Sequence, residues 1–274
     1  MGKDETRLID SLRVDPGSKV RLADRDPRET FGRDKDTAEP ELEETRVRLA
    51  ALQERFWADG SHRLLVVLQG IDTSGKGGTI EHVMGGFPPQ GVRVTGFGVP
   101  SASELAHDYL WRVHPHVPGN GEIAIFDRSH YEDVLVVRVK QLVPEERWSR
   151  RYDHINAFER MLADEGTTIV KCFLHISKEE QRERLQARLD DPEKRWKFRM
   201  GDLTERARWD DYQIAYEEML QRTSTDWAPW YVIPADRKWV RNIAVSALLL
   251  DALERLDPQY PPVDEDVPAN LVVE

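Results

Sequence analysis

The stretch LLVVLQGIDTSGKGG, residues 64–78, decides how the rest of the chain is read. Leu64, Leu65, Val66, Val67 and Leu68 form an unbroken apolar run, the pattern of a strand buried on both faces, and it leads straight into a glycine-rich loop. Gly70, Gly75 and Lys76 match G-x-x-x-x-G-K, with Gly77 and Gly78 directly after. In such a loop successive backbone N–H groups, the start of the next helix and the lysine ammonium converge on one anion, so the motif predicts phosphate binding. A helix is expected over residues 79–84. Gly77 stands where a Ser or Thr hydroxyl ordinarily holds Mg²⁺. Two readings of Asp72 follow. It replaces the missing hydroxyl as a magnesium ligand, since an acid among phosphates needs a cation between them, or it hydrogen-bonds amides of the loop.

Outward from this loop, strands and helices alternate. Helices are expected over residues 39–58, 100–115, 131–140, 144–163, 178–190, 203–223 and 240–256, and strands over 92–99, 123–126, 168–175 and 230–233. Ser177 followed by Glu180 predicts a capping box at the start of the 178–190 helix. That alternation implies a mostly parallel sheet between helical layers, with ligands at the carboxyl ends of the strands. The strand over 123–126 ends in Asp127-Arg128-Ser129. Its terminal acid is where a phosphate-loop fold places a second metal-holding carboxylate, which sets Asp127 opposite Asp72 and Lys76, with Arg128 neutralising phosphate charge. An ordinary Asp-Arg turn pair is the alternative. Residues 1–37 are polar and carry Pro16-Gly17 and Asp26-Pro27, which predicts an extended arm on the surface or on a neighbouring subunit. The phosphate-loop domain would then run over 38–257, with a polar tail over 258–274.

A net charge of −11 argues against general nucleic-acid binding. The local balance differs. Lys178, Arg182, Arg184, Arg188, Lys194, Arg195, Lys197, Arg199, Arg206 and Arg208 crowd one segment, so a basic surface can form within an acidic protein. Residues 193–202 contain Trp196 and Phe198 without helical periodicity, and the region 178–208 is read as a lid closing over phosphates; a plain charged surface helix and loop is the alternative. The chain has one cysteine, Cys172, so no internal disulfide is possible, and a cytoplasmic location is expected. No apolar run is long enough for a bilayer, so no membrane partner is expected. The residues Met1-Gly2 and Thr6 fit a loose myristoylation pattern, read as chance because no polybasic run supplies a second anchor.

Taken together, SLRVDPGSKVRLAD, GIDTSGKGG, PSASELAHDYLWRVH, FDRSHYEDVLVVRV and APWYVIPADRKW resemble the second polyphosphate kinase family over nearly the whole chain. The resemblance implies a three-layer α/β/α phosphate-loop kinase fold with a helical lid. It further implies Mg²⁺-dependent transfer of a terminal phosphoryl group between inorganic polyphosphate and adenine or guanine nucleotides, and a homo-oligomer, dimer or tetramer. By position, Asp72 and Asp127 resemble the metal-holding acids, and Lys76, Arg128 and Arg188 the phosphate clamp. Glu132, within HYEDV, resembles the class III subgroup that accepts both AMP and ADP. Residues 100–112, with Arg112, and 132–138, with Arg138, are expected at the nucleotide mouth. Two other readings stay open: an ATP-dependent nucleoside monophosphate kinase on the same fold, and a phosphate-loop protein that binds nucleotide without turnover.

Overall fold

The computed structural model describes residues 3–263. Residues 264–274 of the expected tail, together with Met1 and Gly2 of the lipidation pattern, lie outside the described residues. The chain opens with α1 (Lys3–Leu12) and a two-residue strand, β1 (Arg13–Val14), before the long helix α2 (Lys35–Asp59). The strand of the phosphate loop, β2 (Arg63–Gln69), follows, then α3 (Lys76–Thr79), which continues as a π turn over Ile80–Met84. Next come β3 (Val92–Gly96), α4 (Ala102–Leu105), β4 (Glu122–Asp127), α5 (Val136–Val139), α6 (Glu145–Trp148) and α7 (Arg151–Asp164). The remainder is β5 (Thr167–His175), α8 (Lys178–Asp190), α9 (Met200–Ala207), α10 (Trp209–Thr223), β6 (Trp230–Pro234) and α11 (Lys238–Leu256).

The six strands lie in the order β1-β6-β5-β2-β4-β3, all parallel except β1, which pairs antiparallel with β6. Every residue of β2 from Leu64 to Gln69 is buried, as a central strand covered on both faces requires. Helix α11 packs on α2, β5 and β6, while α7 packs on β5 and α10. Connections run from β2 outward past β4 to β3 on one side and from β4 back to β5 on the other. This reversal of winding direction opens a crevice at the carboxyl ends of the strands around β2 and β4.

The amino-terminal segment corrects an expectation. The segment expected as an extended arm over 1–37 is, in its described residues 3–37, no such arm: α1 buries Leu8, Ile9 and Leu12, and Val14, Val20 and Leu22 are buried after it. The Arg25 guanidinium donates to the carbonyls of Ser11 (3.0 Å), Leu12 (3.4 Å) and Arg13 (3.1 Å), which pins β1 to the sheet edge. The stripe Leu8, Ile9, Leu12 carries the i, i+1, i+4 spacing of a helix face, and the turn signals of Pro16 and Pro27 outweighed it in the sequence reading. Several expected helices also break. Over 100–115 only α4 and a 3₁₀ turn at His114–His116 form, because the Asp108 carboxylate accepts from the N–H groups of Leu110 (3.0 Å) and Trp111 (3.1 Å) and so caps a fresh turn instead of letting the first helix continue. The 131–140 helix divides at Leu135, whose φ of −103° and ψ of −84° are non-helical. Breaks at Arg150 and Arg208 divide the other two long helices. At the start of α8, Ser177 caps the N–H of Glu180 at 3.1 Å, but its own N–H goes to Asp236 Oδ1 at 2.8 Å, so only half of the capping box forms.

Candidate active site

The site is built where three neighbouring strands end. Leu68 on β2 pairs with Asp127 on β4, and Asp127 pairs with Gly96 on β3, so the loops leaving these strands start from one row across the sheet. A cavity of about 590 Å³ opens there, lined by Asp72, Gly75, Lys76, Gly77, Gly78, Asp127, Arg128 and Arg188 among others. Eight residues singled out from the sequence thus converge on one space.

Two glycines of the loop are required by geometry. A Cβ on Gly70 would stand 2.8 Å from the Leu174 carbonyl oxygen of β5, so the chain turns tightly against the sheet there. Gly75 has φ of 105°, in the region that L side chains rarely adopt. A Cβ on Gly77 would meet nothing within 4 Å, so the missing hydroxyl at this position is no packing requirement. Lys76 is buried, and its Nζ donates to the carbonyls of Gly70 (2.9 Å) and Ile71 (3.4 Å), which hold the ammonium at the loop mouth. Burial and the neighbouring Arg128 lower its pKa, against the opposing pull of Asp127, Asp72 and Glu132. Burial also works against the Arg128 charge, but Glu132 and Asp72 outweigh it and raise the Arg128 pKa. Arg128 has φ of 63°, a costly conformation for a non-glycine residue, and its N–H is fixed to Leu68 O at 3.1 Å. Arg188 reaches in from α8 and pairs with Asp72 at 3.1 Å. On the loop itself the Thr73 and Ser74 hydroxyl oxygens are buried and, among the described residues, without a partner, and Thr73 lines the cavity, so its hydroxyl is available to an anion there.

The remaining expected residues stand elsewhere. Gly70 lies beneath the loop, at the end of β2. Glu132 sits beside the cavity, where its carboxylate accepts from Gln69 Nε2 at 2.5 Å. Arg112 is buried behind the wall: it donates to Gly98 O at 3.0 Å and lies 5.5 Å from the Phe97 ring centroid, so it supports two lining residues. Arg138 is separate. It pairs with Glu218 at 2.5 Å, stacks over Trp148 and lines a second cavity of about 680 Å³ with Arg208 and Leu142. The sequence reading did not assign Glu81, Gly96, Phe97 and Gly98 to the site and placed Lys197 only within the expected lid, yet all five line the first cavity. Residues 96–98 lie at the carboxyl end of β3, the position where such folds bind ligands, but the strand expected over 92–99 ran through them and hid that signal.

Among the described residues no three His, Cys, Asp or Glu side chains cluster closely enough to hold a metal by themselves. Asp72 and Asp127 bring two carboxylates to one cavity, a donor set that suits Mg²⁺ when substrate and water oxygens complete the shell.

A model of the polyphosphate kinase 2 family matches residues 32–261. The chain belongs to the polyphosphate kinase 2 family. It is 59% identical over 251 residues to an AMP/ADP-polyphosphate phosphotransferase of Meiothermus ruber, covering 91% of this chain and 94% of that protein. Identity to an ADP-polyphosphate phosphotransferase of Rhodopseudomonas palustris is 45% over 234 residues, 81% of each chain. The fold superimposes on the crystal structure of polyphosphate kinase 2 from Arthrobacter aurescens TC1 with a TM-score of 0.90 at 48% identity, covering 95% of this chain and 93% of that one. Within the polyphosphate kinase 2 family this chain thus matches the Meiothermus ruber and Arthrobacter aurescens proteins over nearly their whole length. No helix among the described residues is long and apolar enough to cross a membrane.

Proposed function

We propose that the chain moves the terminal phosphoryl group between inorganic polyphosphate and nucleotides, converting AMP to ADP and ADP to ATP in a reversible, Mg²⁺-dependent reaction. The observation that carries this reading is the convergence of Lys76, Arg128 and Arg188 with Asp72 and Asp127 in one cavity at the strand ends. Three cations suit the equatorial oxygens of a transferring phosphoryl group, which gather charge as the bond to the leaving oxygen lengthens. The attacking and leaving oxygens are both phosphate oxygens, so the transfer needs positioning and charge neutralisation and no covalent enzyme intermediate. Magnesium, held by Asp72 and Asp127, would reduce repulsion between donor and acceptor phosphates. A chain of phosphates has no base or ribose to grip. Charged side chains from α8 and the following turn, Arg188 and Lys197, suffice to recognise it, and their place on that segment favours its role as a lid. Guanine nucleotides as further acceptors, assembly as a dimer or tetramer and a cytoplasmic location belong to the same reading.

The deciding experiment offers polyphosphate and ATP separately as donors to purified protein with AMP or ADP as acceptor. Product from polyphosphate with both acceptors supports the proposal. Product from ATP alone identifies a nucleoside monophosphate kinase, and binding without transfer identifies a non-catalytic nucleotide-binding protein. Repeating the polyphosphate assay over a Mg²⁺ titration with Asp72→Asn and Asp127→Asn tests the metal: each variant should lose activity and recover part of it at high Mg²⁺. A variant with full activity and an unchanged Mg²⁺ requirement does not hold the ion.

A further inference from the structure

Arg241, on the first turn of α11, is a buried cation for which the described residues provide no anion. It is 2% exposed. Burying a charge costs several kcal/mol unless an opposite charge and hydrogen bonds compensate. Its Nε and Nη2 donate to Asn242 Oδ1 at 3.1 and 2.8 Å, and this amide is neutral. Among the described residues no carboxylate pairs with it. The charged group that acts on it is a second cation, Arg184; burial first, and Arg184 second, lower the Arg241 pKa to about 10, which leaves the guanidinium charged at neutral pH.

Both guanidiniums meet behind the phosphate loop. A Cβ on Gly75 would stand 2.0 Å from Arg241 Nη1 and 3.6 Å from Arg184 Nη1, and one on Gly78 would stand 3.4 Å from Arg241 Nη2. Arg184 has its own counter-charge in Glu180, at 2.7 Å, and it fastens the loop by donating to Thr73 O (2.9 Å) and Ser74 O (3.1 Å) as well as to Ala235 O (2.6 Å) and Asp236 O (3.0 Å). Arg241 has no such compensation. Neither arginine is among the residues lining the cavity, so neither is placed to touch a phosphate there.

We propose that Arg241 is a positioning residue whose counter-ion is the substrate phosphate itself, its charge acting through the backbone of residues 75–78 on the anion bound at the opposite face of the loop. The inference rests on phosphate binding at this loop. In a water-poor interior a unit charge is felt across such a thin layer of backbone far more strongly than through solvent. It follows that the Arg241 charge has opposite consequences in the two states of the protein. It weakens the ligand-free fold, and it strengthens the phosphate-bound one. A purely structural arginine would support both.

The test uses the whole chain and inorganic tripolyphosphate as probe, without nucleotide, and reads both the thermal-unfolding midpoint and the tripolyphosphate Kd for wild type, Arg241→Met and Arg241→Lys. Binding of tripolyphosphate by wild type establishes the site on which the proposal rests; its absence overturns both. With binding established, Arg241→Met should unfold at a temperature equal to or above that of wild type without ligand, yet bind tripolyphosphate about tenfold more weakly, as loss of one desolvated charge contact implies. Arg241→Lys should keep the affinity within about threefold. Unchanged affinity in Arg241→Met overturns the proposal while leaving the phosphate site intact. Should Arg241→Met not fold, Arg241→Gln takes its place: weaker binding by Gln than by Lys supports the proposal, and equal binding by the two overturns it.

Discussion

Lys76 is the residue on which the chemistry of the cavity turns. Its ammonium is buried and held by two carbonyls rather than by a carboxylate, so its charge is free to answer an incoming phosphate. Replacing it by Met keeps the length and apolar character of the stem. Lys76→Met should therefore fold normally and lose roughly 10³-fold or more in turnover, read by initial rates with polyphosphate as donor and by circular dichroism for the fold. Near-normal turnover would make the loop a structural relic. Because burial and Arg128 lower its pKa, Lys76 loses its proton below the ordinary lysine range, and activity at subsaturating donor should decline on the alkaline side before an exposed lysine would titrate. Glu132 governs a different choice. AMP is one phosphate shorter than ADP, and a carboxylate beside the cavity could hold a water or ion where that phosphate is missing. The structure adds a competing role, since Glu132 also accepts from Gln69 on β2 and raises the Arg128 pKa. Glu132→Asn should depress AMP phosphorylation far more than ADP phosphorylation. Parallel losses on the two acceptors would assign Glu132 to the support of Arg128 instead.

At the scale of elements, the turn that follows β4 is held by a buried ionic network that joins three parts of the fold. The Glu159 carboxylate of α7 accepts from Lys171 Nζ of β5 (2.6 Å), from the Tyr131 hydroxyl (2.7 Å) and lies 3.1 Å from His130 Nε2. Lys171 completes its three ammonium bonds on Tyr131 (2.9 Å) and Thr223 O (2.7 Å). His130 and Tyr131 follow Asp127 and Arg128 by a few residues, so this network sets the position of the loop that carries both. Burial raises the Glu159 pKa, but Lys171 and His130 outweigh it, and the carboxyl titrates below the ordinary glutamate range. The stability this supplies is present above the unfolded glutamate pKa and is lost as pH falls through the lower folded value, so the network fails in acid. Lys171→Met would leave the Glu159 carboxylate buried without its lysine, with only Tyr131 and His130 beside it, and should cost about 3–5 kcal/mol in urea unfolding, with much of it regained when Glu159→Leu is added. A loss under about 1 kcal/mol for the single variant would show that water or a proton readily replaces the lysine.

For the molecule as a whole, the amino-terminal segment is part of the core. Leu12 is 1% exposed and lies where α1 meets the edge strand, so Leu12→Ala should destabilise by about 2–5 kcal/mol in the same denaturation assay, whereas a detachable arm would register almost nothing. The sequence by itself determined the phosphate loop, the strand of Asp127 and the parallel sheet, because an unbroken apolar run, a glycine spacing and a strand-terminal acid are local patterns whose physical meaning needs no distant partner. It also pointed to Arg188, through resemblance and through the density of basic residues near it. Where chain segments meet was decided only in three dimensions. The expected helices over 100–115 and 131–140 are broken by a side chain at Asp108 and a backbone angle at Leu135, which periodicity does not register. Arg112, Arg138 and Arg188 are alike as residues in a sequence; tertiary packing places Arg188 in the cavity, Arg112 behind its wall and Arg138 against Trp148 and Glu218. Arg241 is the limiting case. It lies 166 positions beyond Gly75 (241 − 75) in an apolar helix, and only the fold brings its guanidinium against that glycine, because side-chain charge acts over distances in space that separation along the chain does not measure.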